Sequence, residues 1–317
     1  MKHSSQIIMV FALFLFINCK KDAKISPVGP GDVTAAENIS IFPATHPLNK
    51  DITAEPVDPN SNAILSLIGQ TKGLFADFGS GLWEGSPIGI PYIVVGANEP
   101  LVAINYTSWG DESDAGPFPI PLGAPIEGNG QGDAHVLCVD VANHMLYELY
   151  QGQATSGGWN AANGAKFNLN VVEYRPAGWT AGDAAGLPIF PCLARYPEIQ
   201  KGEIDHAIRF TLAAACIYKG YVSPARHLVD GGTNSNQLPM GGRLRLKATF
   251  DISGYSATNQ IILKALKKYG LILADIGSSM FLSGAPNDGW NNDDLKKLGN
   301  VKASDFEVIK LGTISTK

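Results

Sequence analysis

Hydrophobic positions along this chain come in short runs separated by clusters of Gly, Pro, Asn and Asp. Such spacing predicts strands joined by turns rather than long helices. Ile88–Val95 and Leu101–Tyr106 read as strands, with Pro91 placing the first at an edge or a bulge. His135–Val139 and Met145–Tyr150 flank a turn at Asp140–His144 and read as a hairpin. Ala165–Leu169 reads as a short strand and Ala181–Ala185 as one helical turn. Asp205–Leu212 and Arg243–Ile252 show the clearest alternation. Ser256 is placed to cap a helix over Thr258–Tyr269, where Ile262, Ala265, Leu266 and Tyr269 form one apolar stripe. Leu271–Ala274 and Met280–Ser283 read as a strand pair, followed by a short helix near 293–298 and a strand at Phe306–Ile309. The sum is a mainly β chain: an antiparallel β-sandwich, jelly-roll-like, with a few short helices. No regular βαβ alternation appears, which argues against doubly wound and TIM-barrel folds.

The N-terminus follows a different pattern. Lys2 precedes an unbroken apolar run, Ile7–Ile17, and Asn18 and Cys19 follow. Eleven residues are too few for a permanent membrane span but suit the core of a secretory signal. The run ending at Cys19 resembles the lipobox of bacterial lipoproteins. Phe16 and Asn18 depart from that pattern, standing where Leu and a small residue are usual. The resemblance implies cleavage before Cys19, a lipid on Cys19, and an outer-membrane lipoprotein of the cell envelope that meets the membrane through that anchor only. Lys20-Lys21-Asp22 is similar to surface-export signals of Bacteroidetes-type lipoproteins. The expected organisation is a signal peptide over 1–18, a lipidated Cys with a Pro-rich tether over 19–62, and one β-rich domain over 63–317. Ile39, Ile41 and Phe42 give the tether points at which to dock on the domain.

Composition narrows the function. The 317 residues carry 24 Lys and Arg against 29 Asp and Glu, a net charge of −5, so a basic nucleic-acid footprint is missing. No P-loop, Rossmann glycine fingerprint or Gly-x-Ser-x-Gly elbow is present. Besides Cys19 there are Cys138, Cys192 and Cys216, each among apolar neighbours. They read as buried thiols, with a Cys192–Cys216 bridge as the alternative. The stretches RPAGWTAGDAAGLPIFP (175–191), GEIDHAIRFT (202–211), YVSPARH (221–227) and KKYGLILADIGSS (267–279) resemble a group of secreted bacterial proteins over roughly residues 130–309. That resemblance implies no activity.

Candidate chemistry centres on 202–211. On a strand, Glu203, Asp205, Arg209 and Thr211 would share one face and His206 would lie on the other. Two carboxylates beside an arginine suit the acid and the base or nucleophile of glycosidic cleavage, and equally suit a solvated sheet face. Asp133 and His135 open the next polar site, at the mouth of the Leu137–Val139 face. Arg226 and His227 follow Pro224, and His135, His206 and His227 are candidate bases or orienting groups. Arg209 and Arg226 would bind substrate. Trp83 and Trp109, in Gly-rich loops, would stack on sugar rings. No cofactor is expected. Ca²⁺ at Asp111–Asp114 and a transition metal on the three histidines are minor alternatives without a supporting motif. Arg243, Arg245 and Lys247 read as a basic outer row paired with carboxylates such as Glu203 and Asp205. The expectation is an envelope-anchored carbohydrate-active enzyme, hydrolase or lyase, acting on a polysaccharide. The alternative is a glycan-binding lipoprotein without activity.

Overall fold

The computed structural model describes Ala36 and residues 39–317; the apolar run, Cys19 and Lys20–Asp22 lie outside the described residues. The chain is mainly β, with several sheets and a few short helices, in a sandwich-like arrangement. Two larger sheets use β1 (Phe75–Asp77), β2 (Tyr92–Val95), β3 (Val136–Asp140), β4 (Met145–Tyr150), β5 (Asn163–Asn168), β6 (Ile208–Leu212), β7 (Arg243–Leu246), β8 (Leu271–Ile276), β9 (Phe281–Ser283) and β10 (Phe306–Val308). The helices are α1 (Ser61–Ile68), α2 (Tyr196–Lys201), α3 (Ala257–Lys268) and one short turn at Asn292–Leu295. One sheet runs β5-β4-β3-β2 and the other β1-β9-β6-β8-β7-β10.

Antiparallel hairpins alternate with parallel pairs. β3–β4 is the hairpin read from the sequence, and the Asp140 carboxylate accepts the amides of Ala142 and Asn143 to close its turn. β2–β3, β1–β9 and β6–β8 are parallel. Parallel neighbours need long connections, and the one between β6 and β8 contains α3. β8 and β9 do not pair with each other; each flanks β6 instead.

The four-stranded sheet is buried on both faces. Tyr92, Val94, Leu137, Val139 and Leu146 join the main core with Phe210, Leu273 and Leu282 of the other sheet. Ile93, Val95, Val136, Cys138 and Leu149 face a second cluster around Phe118 and Trp159. Burial on two sides explains why the runs Tyr92–Val95 and Val136–Val139 are apolar at every position. Cys138, Cys192 and Cys216 are buried free thiols, so the Cys192–Cys216 bridge is not formed.

The chain packs on the domain well before residue 63. The Phe42 amide donates to Leu169 O and the Ile52 amide to Lys268 O, both at 2.8 Å. Phe42, Leu48 and Ile52 are buried, spaced too irregularly to show as a period. β7 ends at Leu246, short of the expected Ile252. Its arginines do not form a solvated row. Arg245 is buried and pairs with Glu307 of β10 at 2.7 Å, rather than with Glu203 or Asp205. Ala181–Ala185 forms no helical turn.

α3 begins as its sequence indicates. Ser256 Oγ accepts the Asn259 amide at 3.1 Å and donates to Asp294. Ser256→Ala should lower stability by about 1 kcal/mol in urea unfolding, with no change in the slope of the transition.

Candidate active site between the two sheets

Strand register sets one side of the site. β1 pairs Phe75 with Phe281 and Asp77 with Ser283, while Thr211 of β6 pairs with Phe281 and with Asp275 of β8. Two adjacent rows therefore cross this sheet face: Phe75, Phe281, Thr211 and Asp275, then Asp77, Ser283 and Arg209. Arg209 is buried. Its Nε and Nη2 donate to Asp183 at 3.1 and 2.7 Å, and its Nη1 donates to Ser283 Oγ at 2.5 Å. Asp275 lies 3.7 Å from Nη2 and keeps a fifth of its side chain in contact with solvent.

The four-stranded sheet supplies the other side. His135 continues the face of Leu137 and Val139, and Glu148 and Tyr150 continue the face of Leu146. His135 Nδ1 is 2.5 Å from Glu127 Oε2, and its Nε2 is 2.8 Å from Gly182 O. The Glu148 carboxylate is fully buried and accepts the amides of Ile189 and Phe190 at 2.9 and 3.0 Å. The 175–191 loop thus lies between the sheets, tied by His135, Glu148 and Arg209. Gly186, at φ +69°, lets that loop fold back; a Cβ there would sit 2.4 Å from Trp179 O.

Electrostatics separate the carboxyls. Burial and the neighbouring Asp183 charge push Asp275 up to about 7, against the pull of Arg209. Burial pushes Glu148 up to about 7 as well, although the two amides oppose it. Asp77 reaches solvent at its surface, yet crowding and the Glu127 charge still hold its carboxyl above the usual range. Glu127 goes the other way: burial opposes ionisation, but the charge and hydrogen bonds of His135 outweigh it and lower its pKa. His135 is raised to about 9, because the charge and hydrogen bond of Glu127 overcome the cost of burying the cation. The site therefore holds a protonatable acid (Asp275) on one sheet and an ionised one (Glu127) beside the other, each partly open to water.

Four of the eight left-handed non-glycine residues among the described ones stand at this place: Asn129, Ala134, Gln151 and Met280 have φ of 51°, 47°, 50° and 67°. They stand next to or near Glu127, His135, Tyr150 and Phe281. Left-handed non-glycine residues cost of order 1 kcal/mol each and collect where function demands a set geometry. Comparison with family models, with curated proteins and with solved structures finds no match for this chain. The chemistry of the site therefore has to be read from its own side chains.

Of the residues singled out in the sequence, Asp133, His135 and Arg209 meet here. Asp133 is exposed at the rim, where its charge acts on His135 and Tyr150. Trp109 is 46% exposed, with its ring 6.1 Å from that of Tyr150. Trp83 is 71% exposed on a two-stranded hairpin, Leu82–Trp83 with Ser86–Pro87, whose Gly85 O accepts from Asn129 beside Glu127.

The other candidates are elsewhere. α2 ends at Gly202 in the left-handed conformation, so 203–207 is a connection and strand alternation begins only at Ile208. Glu203 and Asp205 are consequently exposed and outside the cluster. His206 is buried in a separate group, 2.8 Å from Glu198, which also receives Arg195 at 2.6 Å. His227 binds Ala184 O at 2.8 Å, and Arg226 donates to Arg175 O at 2.9 Å. Arg175 pairs with Asp114 at 2.5 Å. Arg209 itself is consumed by Asp183 and Ser283, so it orders the site and does not reach out to a substrate. Among the described residues, no group of three or more His, Cys, Asp or Glu side chains is arranged to hold a metal ion. A cavity of about 310 Å³, lined by Phe42, Lys166, Phe167, Tyr174 and Arg175 among others, shares no side chain with the cluster.

The raised groups make stability depend on pH. His135 holds its proton more tightly in the folded chain than in the unfolded one, so its contribution is complete below about 6.5 and is lost as pH rises through about 9. Asp275 and Glu148 act in the same sense up to about 7. Glu127, lowered, acts in the opposite sense and its contribution is lost only as pH falls through its folded pKa. Urea unfolding should therefore show stability falling by about 3 kcal/mol between pH 6 and pH 9 on account of His135. Glu127→Gln should flatten that slope; an unchanged slope would assign it to other groups.

Proposed function

We propose that this chain is a carbohydrate-active enzyme that cleaves a glycosidic bond by acid and base chemistry at the Asp275–Glu127 site. The supporting observation is a carboxyl that is one-fifth exposed and pushed to about 7, Asp275, and a partly open carboxylate held ionised, Glu127, both within electrostatic reach of Arg209. Divergent carboxyl pKa values of this kind are what glycoside hydrolysis requires. Asp275 donates its proton to the bridging oxygen as the anomeric C–O bond breaks. Glu127 takes a proton from the water whose oxygen bonds to the anomeric carbon. His135 positions Glu127, and Arg209 positions Asp275 while Asp183 and Ser283 hold it. We further propose that a lipid on Cys19 anchors the protein to the cell envelope, where a polysaccharide would be met.

The exposed indoles of Trp83 and Trp109 also suit a second reading, a glycan-binding lipoprotein without turnover. Release of reducing ends from a panel of polysaccharides, read together with quenching of tryptophan fluorescence, distinguishes the two. Turnover lost in Asp275→Asn supports the enzyme. Saturable quenching with no product, reduced in Trp83→Ala and Trp109→Ala, supports binding alone. Neither signal from any glycan removes both.

A further inference from the structure

Phe42, Phe167, Tyr174 and Arg175 wall both the cavity of about 310 Å³ and an adjoining side pocket of about 20 Å³, to which His46 and Arg226 also contribute. The side pocket admits about one water-sized group. Two of the donors lining it have no partner. His46 is 3% exposed and stacks on Phe42, with ring centroids 3.9 Å apart. Its Nδ1 accepts the Leu48 amide at 3.2 Å, so the ring proton is on Nε2. Burial lowers the His46 pKa to about 4, and the ring is therefore neutral. Nε2 meets no acceptor among the described residues, yet it is not sealed in. A donor so placed calls for an acceptor from outside the chain.

Arg226 is held in position by its own bonds. Its amide donates to Ala185 O at 2.9 Å, its carbonyl accepts the Gly178 amide at 2.7 Å, and its Nε donates to Arg175 O at 2.9 Å. The guanidinium carbon lies 5.9 Å from the Tyr174 ring centroid. Both Nη groups are without a partner among the described residues. Arg175 differs: it donates to Thr180 O, Asp114 and Glu112 O, and serves as a wall. With the Arg175–Asp114 pair set aside, Lys166 and Arg226 oppose Glu173 around the two spaces, so the balance is 2 − 1 = +1. A planar guanidinium fork with free donors matches a carboxylate, and a single water-sized space beside one neutral donor is too small for a phosphate.

We propose that this cavity binds a small molecule carrying a carboxylate on a six-membered ring. One carboxylate oxygen enters the side pocket and accepts from His46 Nε2, while the Arg226 Nη groups donate to the carboxylate. The ring lies in the larger space beside Phe167 and Tyr174, the latter 44% exposed, whose aromatic surfaces take an apolar or C–H face. A volume of about 310 Å³ suits a single substituted ring. A sugar acid and a hydrocarbon acid share this chemistry. The proposal stands apart from the glycosidase reading, because none of its residues belongs to the Asp275–Glu127 site.

The test is calorimetry on the full chain with two pairs of probes: glucuronate against glucose, and cyclohexanecarboxylate against cyclohexylmethanol. At least one acid should bind one-to-one and about tenfold or more tightly than its neutral partner, and the acid that does so identifies the source. Arg226→Gln should weaken that binding about tenfold. Glu173→Gln removes the exposed acid that lines both spaces and should tighten it by about two- to threefold. His46→Asn keeps an acceptor for the Leu48 amide but lacks the Nε2 proton, and should weaken binding by roughly fivefold. Should His46→Asn fail to fold, the Arg226 and Glu173 variants decide alone. Lys264→Gln removes an exposed cation on α3, outside both spaces, and should change nothing. The proposal is overturned if neither acid binds, if the neutral partners bind as tightly, or if Arg226→Gln has no effect. A loss in Lys264→Gln as large as in Arg226→Gln shows unspecific attraction of anions and also overturns it.

Discussion

Arg209→Leu is expected to lower the stability of the folded chain by about 3–5 kcal/mol. Removing this guanidinium leaves Asp183, which has no exposed surface, as an uncompensated buried charge. Ser283 Oγ loses its partner as well, and Asp275 loses the cation that lowers its pKa. The cost is the desolvation of a stranded carboxylate more than the lost attraction of the pair. For a chain of this size the midpoint of thermal unfolding should fall by roughly 10 °C. Replacing both members, Arg209→Leu with Asp183→Leu, should restore part of the loss, because no ion is then left without a partner. A loss below about 1 kcal/mol in the single variant would mean that water reaches Asp183, contrary to its burial.

The same pair shows which features were legible in the sequence. Strands of the mainly β chain, the β3–β4 hairpin and the Ser256 cap could be read because each follows from local periodicity or from one side chain. The continuation of the Leu137–Val139 face to His135 follows from the same period. Arg209 could be singled out for its row, but its partner Asp183 is 26 residues away, in a loop whose path depends on both sheets. Asp77 and Asp275 reach the site through strand pairing across the chain, with Phe75–Phe281 and Thr211–Asp275 as the register that brings them together. No local pattern encodes that register. Glu148 did leave a signal, a lone carboxylate in the apolar strand MLYELY on the side that faces the core. A charge at such a position must be met by donors, and the Ile189 and Phe190 amides meet it.

Glu203 and Asp205 lie outside the strand for a reason also present in the sequence. Strand alternation does not run back from Ile208 through His206 to Glu203. Pro197 at the start of α2, Glu198 accepting the Arg195 amide at 3.0 Å, and Gly202 at its end are helix punctuation. They stop the strand from beginning earlier. His206 then turns inward to Glu198. The expected polar row is instead an exposed connection and a buried histidine bonded to Glu198.

Asp275→Asn should lower turnover of a responsive glycan by about 10²–10⁴ while leaving its binding within a few-fold. The amide keeps the shape of the side chain and its place at the end of β8 but has no proton to donate to the leaving oxygen. The pH profile carries the sharper expectation. The proposed mechanism requires Asp275 protonated and Glu127 ionised, so activity should be high between the lowered Glu127 value and about 7, and fall as pH rises further. Residual activity of Asp275→Asn should lack the limb near 7. Glu148 titrates in the same range but is enclosed by the core and the Ile189 and Phe190 amides, away from any substrate. Glu148→Gln should therefore keep the limb near 7, even where it alters stability. A limb that vanishes with Glu148 and survives in Asp275→Asn would reverse the assignment, because the titrating group would then be the buried carboxyl holding the 175–191 loop.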